Sequence, residues 1–473
     1  MHCGYIVKVE KLRKHPNADR LQIATFFGND TCVSTEVEYG EVGIYFPSDL
    51  QLSIEYCDAN HLCRKDANGM PDSGYLEREK RHIKAINLRG EKSDGIYMPL
   101  SSLSFTGINA FDFNIGDTIT VVNGIEICKK YIPRGRKSEA GNGTPKAKKN
   151  RASIAPLFSE HADTEQLAYN LSAFKPGDEI EITLKMHGTS QRTAYLPVLK
   201  GYKRTLWDRI TRKEGAPIYE YDYVSGTRRT ILNDYEGGFY GSNKFREQYH
   251  NQFVGKLMKG EEVFYEVVGF TDSGQSIMGN GNNNKVSKEF VKQYGEETVF
   301  SYGCEPHPVI HAGYNDSTYG YQNEYIEYKL PQSDIYVYRM TMINEDGFTV
   351  EYTPDFMRYR CEQMGVKCVP VFWKGCIPED PMPLFDDNGD IIATIPNPSG
   401  EWAIKMAEMF YDGPDPVGKT HVREGVVVRI LNRPTFKAYK HKNHSFKVLE
   451  GIIKDSADAP DIEEAEEEFK EEV

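Results

Sequence analysis

The chain has 473 residues, a formal net charge of −13 and 39% hydrophobic side chains, which predicts two or three domains with real cores. No run approaches the ~20 apolar residues of a membrane span, and the opening MHCGYIVKVEKLRKHPNADR has no apolar signal core. A cytoplasmic protein without a membrane is expected, acting in the host cytoplasm if the chain is phage-encoded. Nine cysteines are scattered without a CxxC pair, which reads as reduced thiols, with a structural zinc site as the alternative.

Residues 1–127 alternate apolar and polar positions between turn signals: TCVSTEVEY, EVGIYFP, KAINL, GIYMPL and TITVV. This pattern predicts a short-stranded β-barrel. Residues 128–151 are rich in Gly, Pro, Ser, Lys and Arg without hydrophobic periodicity, a basic flexible linker that either contacts a phosphate backbone or merely keeps the chain soluble. From 152 to 454, strands (EIEITLKM, EVFYEVVGF, DIYVYRMTMI, EGVVVRI) mix with helical stretches (NKFREQYHNQFVGKLMK, PDFMRYRCEQMG, GEWAIKMAEMFY). The expected class is α+β with antiparallel sheets. GNGNNN at 279–284 marks an exposed loop. Residues 455–473 form an acidic tail; from 456 on, nine carboxylates face one lysine. The body is therefore nearer neutral, and local clusters set the field at any groove.

Six segments carry residues suited to phosphoryl chemistry. Lys185 ends a strand before the HGTS turn, where an amine can reach a phosphorus; a solvated lysine is the plainer reading. In SGTRRTIL, Arg228 and Arg229 follow a Ser-Gly turn within reach of a phosphate or ribose, or lie on the surface. Glu266 alternates with Phe264 and Val268, so the three side chains share a face. A carboxylate in such a strand needs a partner: a ribose hydroxyl, a cation or a structural arginine. Tyr336 and Tyr338 could stack on a purine or pack in a core. Glu424 opens a β-branched strand, where it can face a cleft and help hold Mg²⁺ or simply meet solvent. Lys440 and Lys442, two apart, share a strand face, and two ammonium groups at one place suit a polyphosphate; a solvated basic edge is the alternative.

Their order along the chain resembles the motif order of the covalent nucleotidyltransferases: DNA ligases, RNA ligases and messenger-RNA capping enzymes. Lys185-Met186-His187-Gly188 resembles the first motif, KxDG or KxHG. EVVG at 266–269 resembles the third, Glu424-Gly425-Val426-Val427-Val428 the fourth, and Lys440-His441-Lys442 the fifth. KMHGTS is similar to the KxHGT of phage-type RNA ligases, and KHKNHSF to their KxKNxxF. Only about thirty residues follow Lys442, too few for the C-terminal OB domain of DNA ligases and capping enzymes. HPNADRL at 15–21 resembles the opening of tRNA-binding OB domains. An OB-like module ahead of a ligase domain resembles the Deinococcus-type RNA ligases.

The resemblance implies an N-terminal OB-like barrel followed by an antiparallel-sheet ligase adenylation domain. The implied enzyme uses ATP and Mg²⁺ or Mn²⁺ and passes through lysyl-AMP on Lys185. It seals 3′-OH and 5′-phosphate ends, expected as nicks in duplexes whose 3′-OH strand is RNA. His187 and Gly188 join the nucleotide site. Arg228 or Arg229 and Glu266 hold the ribose, and Tyr336 or Tyr338 stacks on adenine. Glu424, with Glu266, serves the metal, and Lys440 and Lys442 assist catalysis at the α-phosphate. The partner is RNA or an RNA-containing nicked duplex, and a monomer is favoured. The alternatives are a DNA ligase or capping guanylyltransferase on the same scaffold, or a non-catalytic RNA-binding accessory protein. The segments 304–334 and 353–420 exceed a minimal ligase.

Overall fold

The computed structural model describes residues 2–108, 113–132, 154–159, 161, 164–205, 215–228, 230–232, 235, 242–272, 277, 298–301, 304–308, 313–314, 325–326, 333–378, 383–385, 391–394, 398–418 and 422–455. Arg229, the 279–284 tract, most of the basic linker and the acidic tail from 456 lie outside them. The chain divides into two compact units: Met1–Gly135 with Lys442–Asp461, and Arg136–His441 with Ile462–Val473. The architecture is mixed α/β and mostly sheet. No described helix is long and apolar enough to cross a membrane.

The second unit contains two large sheets. In one, Ala216–Gly226, Thr189–Lys203, Glu261–Val268, Asp334–Ile343 and Thr349–Glu351 lie side by side, and Lys367–Cys368 adds a parallel pairing to Asp334–Ile343. In the other the order is Glu165–Gln166, Lys437–Lys442, Gly425–Ile430, Glu179–Leu184 and Val371–Cys376. The period-2 pattern explains how the first sheet packs. Val263, Tyr265 and Val267 point to one face, where they meet Phe245, Tyr249 and Phe253 of the helix Lys244–Phe253. Met357, Cys361 and Met364 of the helix Pro354–Met364 complete that core. The intervening residues Glu262, Phe264 and Glu266 take the opposite face. Across the ladder they meet Ala194, Arg192 and Ser190.

Local rules account for the helix at 354–364. Thr353 caps it, accepting from the Phe356 amide at 3.3 Å, and Pro354 sits in the first turn, where its missing N–H costs nothing. Gly365 ends it at φ 70°, the left-handed conformation a C-terminal cap requires.

In the first unit, Val42–Phe46 lies between Gly4–Lys8 and Ile96–Pro99, and Thr118–Ile119 extends the sheet on the far side of Gly4–Lys8. A separate three-stranded sheet joins Leu12–Lys14, Leu21–Phe26 and Asn29–Ser34. Ile6, Ile44, Phe46, Leu52, Tyr56 and Ile119 belong to its core. Among the described residues these sheets remain separate, and no barrel closes.

Within HPNADRL, His15 and Asn17 make internal bonds, while Asp19 and Arg20 are exposed. His15 Nδ1 accepts from the Asn17 amide at 3.1 Å. Its proton therefore sits on Nε2, which donates to the Leu88 carbonyl at 3.1 Å. Asn17 Nδ2 donates to the Arg89 carbonyl at 3.0 Å. These contacts fasten the loop to the Ile86–Leu88/Glu91–Ser93 hairpin.

The same unit holds the helix His444–Asp455. Phe446 is buried, and His444 Nε2 meets Asn87 Oδ1 at 3.1 Å. Lys447 Nζ donates to Asp94 Oδ2 at 2.6 Å and to Asn29 Oδ1 at 3.3 Å. Asp94 is almost wholly buried. Burial works to raise its carboxyl, but Lys447, with help from Ser48 and His444, holds it below the usual range. Lys447→Ala is expected to cost about 3–5 kcal/mol in urea unfolding, because it strands a buried carboxylate. The pair contributes fully above the unfolded Asp pKa, and its contribution disappears as pH falls through the lowered folded value. The wild type should therefore lose stability over that acidic window more steeply than Lys447→Ala.

Candidate active site

The site begins where two antiparallel strands end together. Leu184 pairs with Val426, and the Lys185 amide donates to the Gly425 carbonyl at 3.0 Å. Glu424 is the residue just before Gly425, and its side chain reaches Lys185 diagonally across the strand ends. Lys185 Nζ lies 2.7 Å from Glu424 Oε1, and His187 Nδ1 lies 3.0 Å from Oε2. A carboxylate only accepts, so the His187 proton sits on Nδ1. Glu424 is 3% exposed, whereas the Lys185 side chain is 23% exposed. A buried carboxylate thus has a donor on each oxygen, as its desolvation demands, and part of the Lys185 side chain reaches solvent.

Gly188 joins this group to Glu266. A Cβ there would lie 2.4 Å from the Val267 carbonyl oxygen and 2.9 Å from Glu266 Cγ. Only glycine lets the turn after Lys185 seat directly on the strand bearing Glu266. Thr189 then pairs with Val267, and Ser190 with Glu266. The structure therefore brings Lys185, His187, Gly188, Glu266 and Glu424 together.

Other residues fix that turn. Buried Arg246 donates to Thr189 Oγ1 at 2.6 Å and to the Ser190 carbonyl at 3.0 Å. Gln191 Nε2 donates to Ser225 Oγ and to the Arg246 carbonyl, each at 3.0 Å. Arg192 donates to the Thr227 carbonyl at 3.0 Å and to the Arg228 carbonyl at 3.2 Å. It also pairs with Glu262 at 2.8 Å and lies 3.7 Å over the Phe158 ring. The SGTR turn that carries Arg228 is thus positioned by Arg192.

The segment leading into Glu424 is fixed as well. Arg423 donates to the Phe410 carbonyl and, at 3.2 Å, to that of Pro414, and its guanidinium lies 4.3 Å over Phe372. Asp415 Oδ1 accepts from the Val417 amide at 2.7 Å and the Gly418 amide at 2.8 Å. Burial pushes the Asp415 carboxyl up, against those two amides and the opposing influence of Arg423 and His187. Sequence reasoning overlooked Arg192, Arg246, Asp415 and Arg423. The three arginines bond to backbone carbonyls elsewhere in the chain, which leave no periodic signal, and Asp415 caps a local turn over the next three residues.

Tyr336 is the cross-strand partner of Glu266 and is packed with Leu184, Met186 and Val268. Tyr338 occupies a bulge, since pairing passes from Phe264↔Arg339 to Tyr265↔Val337. Its hydroxyl meets Ser190 Oγ at 3.3 Å and His161 Nε2 at 3.4 Å. Lys440 and Lys442 occupy alternate positions of the strand Lys437–Lys442, which lies beside Gly425–Ile430. The His441 ring between them stacks on Tyr411, centroids 5.0 Å apart. Lys442 pairs with Glu450 at 2.8 Å.

Among the described residues no three His, Cys, Asp or Glu side chains converge on a metal position. A divalent ion held by one or two carboxylates, phosphate oxygens and water needs no such cluster. Glu424 and Glu266 carry hard oxygen donors that could take that part.

The fold is similar to that of solved structures of Naegleria gruberi RNA ligase. The enzyme with PPi matches at a TM-score of 0.51 and 15% identity over 94% of this chain and 98% of that one. A mutant with ATP and Mn, and another with AMP and Mn, each match at 0.51 and 15% over 95% of this chain and 99% of theirs. At that identity the likeness is one of fold. No family model and no curated protein matches the chain.

Gly188→Ala is expected to destabilise the protein by about 1–3 kcal/mol, measured by urea unfolding, because the new methyl meets backbone rather than a side chain that can yield. Unchanged stability would mean the turn does not bear on the Glu266 strand.

Proposed function

We propose that the protein is an ATP-dependent RNA ligase that joins 3′-OH and 5′-phosphate ends, with nicks in duplexes having an RNA 3′-OH strand as its substrate. The observation that carries this reading is the Lys185–Glu424–His187 group, seated through Gly188 on the strand of Glu266. The likeness in fold to an RNA ligase solved with ATP, AMP and Mn supports it.

In the first step, Lys185 Nζ attacks the α-phosphorus of ATP. A P–N bond forms, the bond from the α-phosphorus to the bridging oxygen breaks, and pyrophosphate leaves. The amine must first give up both its proton and its ion pair with Glu424. In the second step a 5′-phosphate oxygen attacks the adenylyl phosphorus and the P–N bond breaks, freeing Lys185. In the third, the 3′-OH attacks the activated 5′-phosphate and AMP departs. Such displacements are catalysed chiefly by positioning and charge neutralisation.

Glu424, with Glu266, would hold a Mg²⁺ or Mn²⁺ ion, which when bound supplies charge neutralisation at the phosphates. His187 holds the second oxygen of Glu424 and so keeps its carboxylate oriented. Lys440 and Lys442 serve the α-phosphate. Glu266 and either Arg228 or Arg229 hold the ribose, and Tyr336 or Tyr338 stacks on adenine. The N-terminal unit acts as an OB-like module gripping the nucleic acid, and the basic linker adds phosphate contacts. The enzyme acts in the cytoplasm as a monomer.

Incubation with α-labelled ATP should transfer label to the wild type and none to Lys185→Ala; covalent label on that variant would overturn the assignment. Glu424→Gln should keep its fold and lose about a hundredfold in label transfer, and wild-type rates in that variant would remove Glu424 from the machinery. Sealing of a panel of nicks with RNA or DNA on each side should require an RNA 3′-OH strand. Equal sealing of all-DNA nicks would refute that preference.

A further inference from the structure

The polar face of the Thr189–Lys203/Glu261–Val268/Asp334–Ile343 sheet holds a second cavity, of about 260 Å³, enough for roughly nine waters. Neither Lys185, Glu266 nor Glu424 lines it. Its floor is a row across three strands: Glu262 pairs with Thr341, and Thr341 with Glu351. Arg192 and Arg339 stand over that row, and Phe264 and Phe436 form apolar walls.

Charge is balanced within it. Arg192 pairs with Glu262 at 2.8 Å, and Arg339 grips Glu351 through Nε at 3.0 Å. A polyphosphate or a cation would have to displace one of these pairs, so a neutral ligand is favoured. The Arg339 guanidinium lies 4.6 Å over Phe264 and 4.4 Å over Phe436, a stack of flat groups of the sort that holds planar ligands.

Thr341 is 1% exposed and lines the cavity, and among the described residues its Oγ1 has no hydrogen-bond partner. An orphaned buried hydroxyl costs free energy and calls for a partner. Arg339 Nη1 also donates to His161 Nδ1 at 3.0 Å, which leaves His161 Nε2 to donate to the Tyr338 hydroxyl. Tyr338 in turn meets Ser190 Oγ. The cavity is thereby linked by hydrogen bonds to the strand that follows the Lys185 turn.

We propose that this cavity is a second binding site, separate from the nucleotide site, for a neutral planar ligand of nucleobase or nucleoside size whose edge bonds to Thr341. This goes beyond the ligase reading and rests on it only for the existence of the nucleotide site. The test is equilibrium dialysis of labelled adenosine, guanosine, cytidine and uridine against the full chain, in saturating α,β-methylene-ATP to block the nucleotide site. At least one nucleoside should bind at one equivalent. Thr341→Val, which keeps the shape and removes the hydroxyl, should weaken that binding about tenfold while leaving thermal stability equal or higher, since it deletes an unsatisfied group. Absence of nucleoside binding, competition by the ATP analogue, or an unchanged affinity in Thr341→Val would each overturn the proposal. A less stable Thr341→Val would mean that the hydroxyl is already bonded to buried water, and would overturn it as well. Failure of the ligase reading would appear separately, as a lack of label on Lys185.

Discussion

One buried carboxylate organises the second unit. Glu424 divides its two oxygens between the Lys185 ammonium and the His187 imidazole, and its desolvation is tolerable only while each oxygen keeps a donor or a bound cation. That requirement fixes the register of Glu179–Leu184 against Gly425–Ile430, since a slip of one residue would carry Lys185 to the other face of the sheet. It also fixes the turn at His187, and through Gly188 the approach of Glu266. Arg423, the residue before Glu424, is fastened to the Phe410 carbonyl at the end of the helix Pro398–Tyr411 and to the Pro414 carbonyl in the loop after it. This ion-paired group and the close approach of Gly188 to the Glu266 strand meet at the place where chemistry is proposed.

The large sheet shows how one strand serves packing and polarity together. Val263, Tyr265 and Val267 are spent on the core beneath two helices. Glu262, Phe264 and Glu266 are released to the other face, where Arg192 and Arg339 compensate the buried acid Glu262. Stability and site chemistry occupy alternate residues of the same eight-residue strand, so each can change with little disturbance to the other.

Much of this was legible in sequence, for identifiable reasons. The strands at 179–184, 261–268, 334–343 and 425–430 and the helices at 354–364 and 398–411 stand where periodicity placed them, because each buries one regular face. The meeting of Lys185 with Glu424 was readable only through motif order, as the two lie far apart in the chain. Side chains that bond to backbone left no trace: Arg246 on Ser190, Arg192 on Thr227 and Arg423 on Phe410. The bulge at Tyr338 has no glycine to announce it. HPNADRL was legible as a motif, but its histidine and asparagine turn inward to Leu88 and Arg89.

The helix His444–Asp455 shares a body with the chain's first residues. On a ribosome, the strands around Phe46 emerge long before Lys447 exists to neutralise Asp94. Domains generally fold as they are made, amino end first; this unit cannot complete until the lysine that pairs with Asp94 and the phenylalanine buried beside it have been made. Its closure waits for a lysine made 353 positions after Asp94.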